Sequence, residues 1–508
     1  MFIKVLFLCL FFLVMMGVGL YCRRHSTDIN GFVLGGRNVG AWLTAFAYGT
    51  SYFSAVIFVG YAGQFGWKFG MASTWIGIGN AVIGSLLAWC VLGKRTRVMT
   101  QQLKSSTMSD FFGTRFDSKA VKVASAVIIF AFLIPYTASL YNGLSRLFTM
   151  AFGIDYTYCV VAMALLTSVY VILGGYMATA VNDFIQGIIM IFGIIAVVAA
   201  VLASKGGLMN AISDLSLITD EKTGSGGFAT LFGPQPLALL GVVLLTSLGT
   251  WGLPQMVQKF YAIKSRSQIK KGTIISTLFA VVVAGGCYFL GGFGRLFATQ
   301  QDVDAGGFDS IIPKMLEGLP DVLIGLVIIL VLSASMSTLS SLVLTSSSSI
   351  TLDFLAVVSK RFKGEKTKLL TIKIFVAFFV VCSSVIAVVQ AKSSVTFIAQ
   401  LMGISWGTLS GAFLAPFLYG LYYKKTTVCA VWVSFALGVS VMLANMLCSF
   451  TGTVFINDYL SSPINTGVAV MLVNLILVPL VSLFTKKPNM QKVEQMFECY
   501  KSSASIEK

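Results

Sequence analysis

Charge is what this 508-residue chain has least of. Only 11% of its residues are Asp, Glu, Lys or Arg, against about 25% in an ordinary water-soluble domain. Most of the chain must therefore fold in a solvent other than water. His25 is the single histidine, and no cluster of residues stands at metal-ligand spacing. No Walker-type glycine loop is present, which excludes a built-in ATP motor. The nine cysteines are scattered singly, mostly inside apolar runs and without a Cys-x-x-Cys pair, so they read as small buried hydrophobes. No nucleophile–base set stands out, and an enzyme is not expected. No stretch is long and polar enough for a separate soluble domain. The first apolar run carries no small-residue cleavage site before Arg23 and does not read as a removed signal.

What the chain has in abundance is apolar runs, 56% hydrophobic residues in all, each of about 20 residues and long enough to cross a hydrocarbon core of roughly 30 Å. They predict an all-α integral membrane protein of about thirteen spans, near 2–21, 41–63, 71–93, 123–150, 156–174, 184–203, 236–257, 273–294, 322–347, 369–390, 395–421, 427–448 and 465–484. The net charge of +17 is distributed unevenly. With the N-terminus outside, 28 of the 36 Lys and Arg fall on the cytoplasmic side: Arg23, Arg24 and Arg37, the basic stretches 94–122, 259–271 and 360–373, Lys424 and Lys425, and the C-terminal tail. That is the positive-inside pattern, and it excludes a nucleic-acid surface. An odd number of spans leaves the C-terminus in the cytoplasm. The loops 204–235 and 295–321 are long and acidic, carrying Asp214, Asp220 and Glu221, then Asp302, Asp304, Asp309, Glu317 and Asp321. They read as solvated outer loops, with a short amphipathic piece near 308–317 placed to act as a gate.

Two spans are interrupted. Gly49-Thr50-Ser51-Tyr52-Phe53-Ser54 sits in the middle of the second, and Gly249-Thr250-Trp251-Gly252-Leu253-Pro254 in the seventh. Glycine and proline weaken a helix, and carbonyls freed inside a membrane must find protein, water or an ion. Breaks five spans apart point to an inverted-repeat transporter with its site at the midplane; glycine and proline are also simply common in membrane helices. The ninth span reads Leu332-Ser333-Ala334-Ser335-Met336-Ser337-Thr338-Leu339-Ser340-Ser341. Four-residue spacing sets the Thr338 hydroxyl beside the Ala334 carbonyl, with Ser337 and Ser341 flanking. Two hydroxyls, one helical carbonyl and two carbonyls freed at 50–53 would give a hard cation five oxygens. Ordinary back-bonding of Ser and Thr to the preceding turn is the competing reading. Asp183 lies between two apolar runs with little loop on the cytoplasmic side. It is either a functional intramembrane acid or a helix N-terminal acid at the interface.

On these residues the chain resembles the sodium:solute symporter family, which contains proline, pantothenate, sialic acid, glucose and iodide carriers. The matching stretches are Thr50-Ser51-Tyr52-Phe53-Ser54-Ala55, Gly174-Gly175 through Asp183 to Gln186, Gly252-Leu253-Pro254-Gln255 with Lys264-Ser265, and Ala334 through Ser337-Thr338-Leu339-Ser340. They run in the family's order over 35–425. The resemblance implies a leucine-transporter-type core of two inverted five-helix repeats, alternating access and sodium-coupled uptake, with Na⁺ as coupling ion and no cofactor. It divides the chain into an N-terminal extra helix and loop (1–34), the ten-helix core (35–425), two further helices (426–485) and a cytoplasmic tail (486–508). It assigns the main sodium site to carbonyls of Thr50, Phe53 and Ala334 and hydroxyls of Ser337 and Thr338. As in the sialic acid branch, Asp183, Ser337, Ser340 and Ser341 supply donors for a second sodium.

For the solute, the resemblance points to Ser54, Ala55, Val56, Ile57, Tyr136, Tyr141, Trp251 and Pro254. Val56 and Ile57 are apolar where sugar carriers place amides or acids, which disfavours a sugar. Gly252-Leu253-Pro254-Gln255 resembles the proline and pantothenate branches, although Thr246 and Thr250 stand where proline carriers place aromatics. The expectation is a plasma-membrane sodium symporter for a small carboxylate-bearing solute: an amino acid such as proline, a monocarboxylate or pantothenate. A proton-coupled transporter of the same fold is the alternative. A transporter-like sensor would need an effector domain, which the short polar tail does not supply.

Overall fold

The computed structural model describes residues 2–153, 155–220, 224–362, 364–391 and 398–501; Glu221, Lys363 and the tail residues 502–508 lie outside the described residues. Ten helices are long and apolar enough to cross a membrane, eleven when the bent pair Pro236–Gly252 and Pro254–Ala262 is taken as one span. Two of the ten, Val56–Gln102 and Tyr156–Ser204, run to 47 and 49 residues. At 1.5 Å per residue each would be about 70 Å long, over twice a hydrocarbon core of roughly 30 Å. Each is folded back at one glycine in a mirror-image extended conformation: Gly70 (φ 60°, ψ −139°) and Gly175 (φ 56°, ψ −148°). Only glycine adopts that geometry without strain. With Ala41–Tyr52 completing the pass that residues 56–69 are too short to make alone, the eleven candidates thus give thirteen crossings among the described residues.

Local chemistry places the ends. Pro236, Pro254 and Pro463 start their helices, where the missing N–H would have had no partner. Thr107 and Thr427 cap Met108–Arg115 and Val428–Thr451. Leu6, Leu10, Leu13, Ile374, Phe378, Leu447 and Ile476 are exposed, an apolar surface that suits lipid. The ninth span, Asp321–Ser349, lies at the centre, with every residue from Leu330 to Ser349 buried. A Lys4–Asp321 ion pair of 3.0 Å joins the start of the chain to the start of this helix, so the N-terminus lies at the end of the bundle that carries the acidic loops.

The expected all-α fold holds, with one small addition. In the 204–235 loop Thr219 pairs with Ser225 and Asp220 with Gly224, antiparallel, after a short helix Leu208–Ser216. In the other acidic loop a Thr299–Asp302 capping box starts the helix Gln300–Gly306. The Thr299 backbone N–H holds the Asp302 carboxyl below its usual range. The amphipathic piece forms turns Phe308–Ser310 and Ile311–Leu316, with Ile311, Ile312, Met315 and Leu316 buried. At the basic end the tail is not a free segment: Met490–Phe497 is a helix with Val493 and Phe497 buried. Lys492 pairs with Asp117 at 2.8 Å, and the Arg115 guanidinium stands over the Phe497 ring.

Candidate functional site

Each broken span turns on one extended residue. Ala41–Tyr52 ends at Phe53 (φ −89°, ψ 119°), and the helix resumes as Val56–Tyr61 and Ala62–Phe69. In the seventh span, Pro236–Ser247 and Gly249–Gly252 end at Leu253 (φ −83°, ψ 121°) before Pro254–Ala262, which leaves at 47°. The last backbone bond of the first half-helix runs from Phe53 N–H to Gly49, which leaves the carbonyls of Thr50 and Phe53 aimed across the break.

Those carbonyls face the hydroxyl row of the ninth span. Thr338 Oγ1 lies 3.0 Å from Thr50 O, 3.4 Å from Phe53 O and 3.1 Å from Ala334 O. Ser337 Oγ lies 3.2 Å from Thr50 O, 3.2 Å from Ala334 O and 2.8 Å from Ser333 O. The five oxygens that the resemblance assigns therefore converge, and all five residues are fully buried. A convergent set of uncharged oxygens in a dry site suits a hard monovalent cation better than a soft or highly charged one. In this arrangement the hydroxyls donate to the carbonyls. Each hydroxyl oxygen keeps lone pairs, and the Ser337 proton has an outlet in Ser333 O.

Asp183 is not at a helix end. The helix resumes at Tyr176, so Asp183 stands two turns inside the sixth span and is fully buried. Its partner is Lys259, counted from sequence among the cytoplasmic loop charges. Lys259 is instead 2% exposed on Pro254–Ala262, the second half-helix of the seventh span. Its Nζ lies 3.7 Å from Asp183 Oδ2, donates to Ser341 Oγ at 2.9 Å, and stands 5.2 Å from the Tyr176 ring centre. Ser341 in turn pairs with Ser51 at 2.8 Å, and Ser340 donates to Ser337 O at 2.9 Å.

The residues expected at the solute separate into groups. Ser54, Ala55, Val56 and Ile57 all lie buried at the break. The Tyr136 hydroxyl faces Ser54 and Trp406; its ring meets the Trp406 ring edge-on at 5.8 Å, and Trp406 stacks on Tyr52 at 6.1 Å. Among the described residues, the hydroxyls of Ser54, Tyr52 and Tyr136 and the Trp406 indole N–H have no hydrogen-bond partner, although buried polar groups ordinarily find one. Two expected residues do not join this cluster. Tyr141, five residues after Tyr136, is turned about 140° around the helix and faces Ser384, its hydroxyl likewise without a hydrogen-bond partner among the described residues. Trp251 gives its indole N–H to Ile83 O of the third span at 3.0 Å. Thr246 also lies against that span, 3.0 Å from Asn80 Oδ1. Pro254 opens the inner half-helix, and beside it both amide atoms of Gln255 are buried without partners. At the acidic end a cavity of about 580 Å³ lies between Gln64, Lys68, Gln235, Gln400 and Tyr459. Gln64 is ten residues from Ser54, about 15 Å along a helix, so this cavity is a vestibule rather than the site.

Residues 32–438 match the family model of the sodium:solute symporters. The chain belongs to the sodium:solute symporter family. A sodium/proline symporter of Staphylococcus aureus (strain NCTC 8325 / PS 47) is 28% identical over 430 residues, covering 83% of this chain and 81% of that one. Among solved structures, a Na⁺-coupled sialic acid symporter in a substrate-bound outward-open state has a TM-score of 0.74 at 18% identity, over 96% of this chain and 99% of that one. A manganese transporter of Eremococcus coleocola has a TM-score of 0.50 at 13% identity, over 90% and 95%. The fold is the leucine-transporter type with two inverted five-helix repeats, and the protein is a sodium-coupled membrane symporter, not an enzyme.

Proposed function

We propose that this symporter imports a small carboxylate-bearing solute, such as proline, another amino acid, a monocarboxylate or pantothenate, across the plasma membrane by alternating access. The convergence of Thr50 O, Phe53 O, Ala334 O, Ser337 Oγ and Thr338 Oγ1 on one buried point carries the reading. Sodium bound there ties the broken second span to the ninth, one helix of each repeat, and so links ion occupancy to their relative position. The solute sits one turn away, at Ser54, Tyr136, Tyr52 and Trp406. Their free O–H and N–H groups are donors for a carboxylate, and the surrounding Ala55, Val56 and Ile57 leave little to hold a sugar. The sodium/proline relative agrees with an amino acid, and Thr246 stands against the third span rather than among these donors. The basic loops face the cytoplasm, with the N-terminus outside.

Uptake of labelled proline, lactate, pantothenate and glucose into proteoliposomes tests this. A carboxylate should accumulate under an inward sodium gradient. Sodium-driven glucose uptake with no competition from carboxylates overturns the solute class. Uptake that survives sodium removal and collapses with the pH gradient overturns the coupling ion. Single cysteines at Ala305 and Ser225 should react with an impermeant thiol reagent from outside, and those at Lys104 and Lys492 should not; the reverse pattern overturns the orientation.

A further inference from the structure

Lys259 is the feature that neither the sequence pattern nor the sodium reading uses. An ammonium is buried within the bundle, between the carboxylate of the sixth span and the hydroxyl of the ninth. Those are two of the four donors, Asp183, Ser337, Ser340 and Ser341, that would hold a second sodium. We propose that the Lys259 ammonium fills that second cation position, so that the protein binds one sodium and not two. This inference rests on the sodium symport reading.

Lys259 faces two of the four donors directly, and among the described residues neither Asp183 oxygen has a hydrogen-bond partner. Asp183 has Lys259 as its counter-charge at 3.7 Å. Ser341 accepts from Lys259 Nζ, since an ammonium has only donors, and it also pairs with Ser51. Ser340 gives its proton to Ser337 O. Ser337 Oγ is turned to Thr50 O and Ala334 O, within the five-oxygen cluster. The carboxylate and the ammonium cancel. A sodium added at Asp183 would place two cations on one carboxylate in a medium of low dielectric, where like charges repel most strongly. Lys259 is also tethered. It can serve the same electrostatic purpose as an ion, holding the sixth, seventh and ninth spans around one negative charge, but it cannot leave with the solute. The charge carried across per cycle is then that of one sodium plus the solute.

Equilibrium binding of radioactive sodium to the purified full-length protein, in potassium-free choline buffer, tests this without knowledge of the solute. The expected result is one saturable sodium per chain. The variant Asp183→Asn/Lys259→Gln removes both charges together and should still bind one. Thr338→Val should weaken that one ion. Two sodium ions per chain in the parent overturn the inference and leave the symport reading intact. Loss of the single ion in the double variant, with its thermal melt unchanged, also overturns it, by placing Asp183 on the ion. A parent that binds no sodium overturns the symport reading and the inference with it. If the double variant does not fold, the parent's ion count still decides.

Discussion

The Thr338 hydroxyl lies 3.0 Å from the Thr50 carbonyl, across 288 residues of sequence, and the two belong to helices of different repeats. Thr338→Val keeps the side-chain shape and removes that oxygen. Gross misfolding is not expected, because interhelical hydroxyl contacts in membranes average only about 0.6 kcal/mol. Sodium would lose one of its five oxygens. A loss of about 2–3 kcal/mol, the cost of an unmade hydrogen bond to a charged group, raises the sodium half-saturation about 30- to 150-fold. Ser346→Ala is the control: Ser346 is on the same helix, buried, with its hydroxyl unpartnered, and should leave the value unchanged. Equal sodium half-saturation in parent, Thr338→Val and Ser346→Ala would place the ion elsewhere.

Tyr136 and Tyr141 make a matched pair for the solute. Among the described residues the Tyr136 hydroxyl has no hydrogen-bond partner, and it faces Ser54, so Tyr136→Phe costs the fold little. If that hydroxyl donates to a carboxylate, its loss costs about 1.5–3 kcal/mol, and the solute half-saturation rises about 10- to 150-fold. Tyr141→Phe, on the face toward Ser384, should leave it within twofold or so of the parent. Uptake curves at saturating sodium separate the two. Equal effects from both variants would remove Tyr136 from the solute site.

Much of this arrangement was legible in the sequence, for physical reasons. Crossing a membrane requires runs that nothing else in a chain imitates, and the helix repeat fixes Ala334, Ser337 and Thr338 on one face wherever the helix lies. The spans 156–174 and 184–203 left a short loop after Gly174. What was not visible is that only Gly175 leaves helical geometry, so the helix resumes at once and carries Asp183 two turns inside. Lys259 was misread because it opens a run of loop cations at 259–271, and local hydropathy cannot report a carboxylate on another helix. Tyr52 and Trp406 become neighbours only through packing between the second and eleventh spans. The separation of Tyr141 from Tyr136 could have been found, since five residues on one helix cannot face one point.

The Asp183–Lys259 pair gives a stability test independent of transport. Removing one member of a buried ion pair strands the other charge and typically costs 3–5 kcal/mol, roughly. Replacing both members is far less costly. Asp183→Asn and Lys259→Gln should each lower the melting temperature of detergent-solubilised protein, and the double variant should recover most of the loss. The interaction energy of such a cycle is nonadditive for residues in contact. Strict additivity across the four proteins would mean that the two side chains do not meet.

The part of the second span that follows the break meets the eighth span through glycines. A β-carbon on Gly66 would fall on the backbone carbonyl of Gly291, and one on Gly291 would fall on the Ala62 carbonyl. With Ala62 and Gly66 four residues apart on one face, this is the small-residue packing that lets membrane helices approach closely. The atoms in the way are backbone, so no rotamer change relieves the clash, and Gly66→Ala must separate the helices. Overpacking of this kind costs about 1–3 kcal/mol, against a helix-propensity gain for alanine of at most about 1 kcal/mol. The variant should therefore melt several degrees below the parent, and its uptake should fall as well, because the displaced half-helix, 56–69, starts at the break beside Phe53 and Ser54. Gly17→Ala isolates the propensity term: nothing lies within 4 Å of a β-carbon there, and the first span should be unchanged or slightly stabilised. If Gly66→Ala melts with the parent, the second and eighth spans are not in glycine contact.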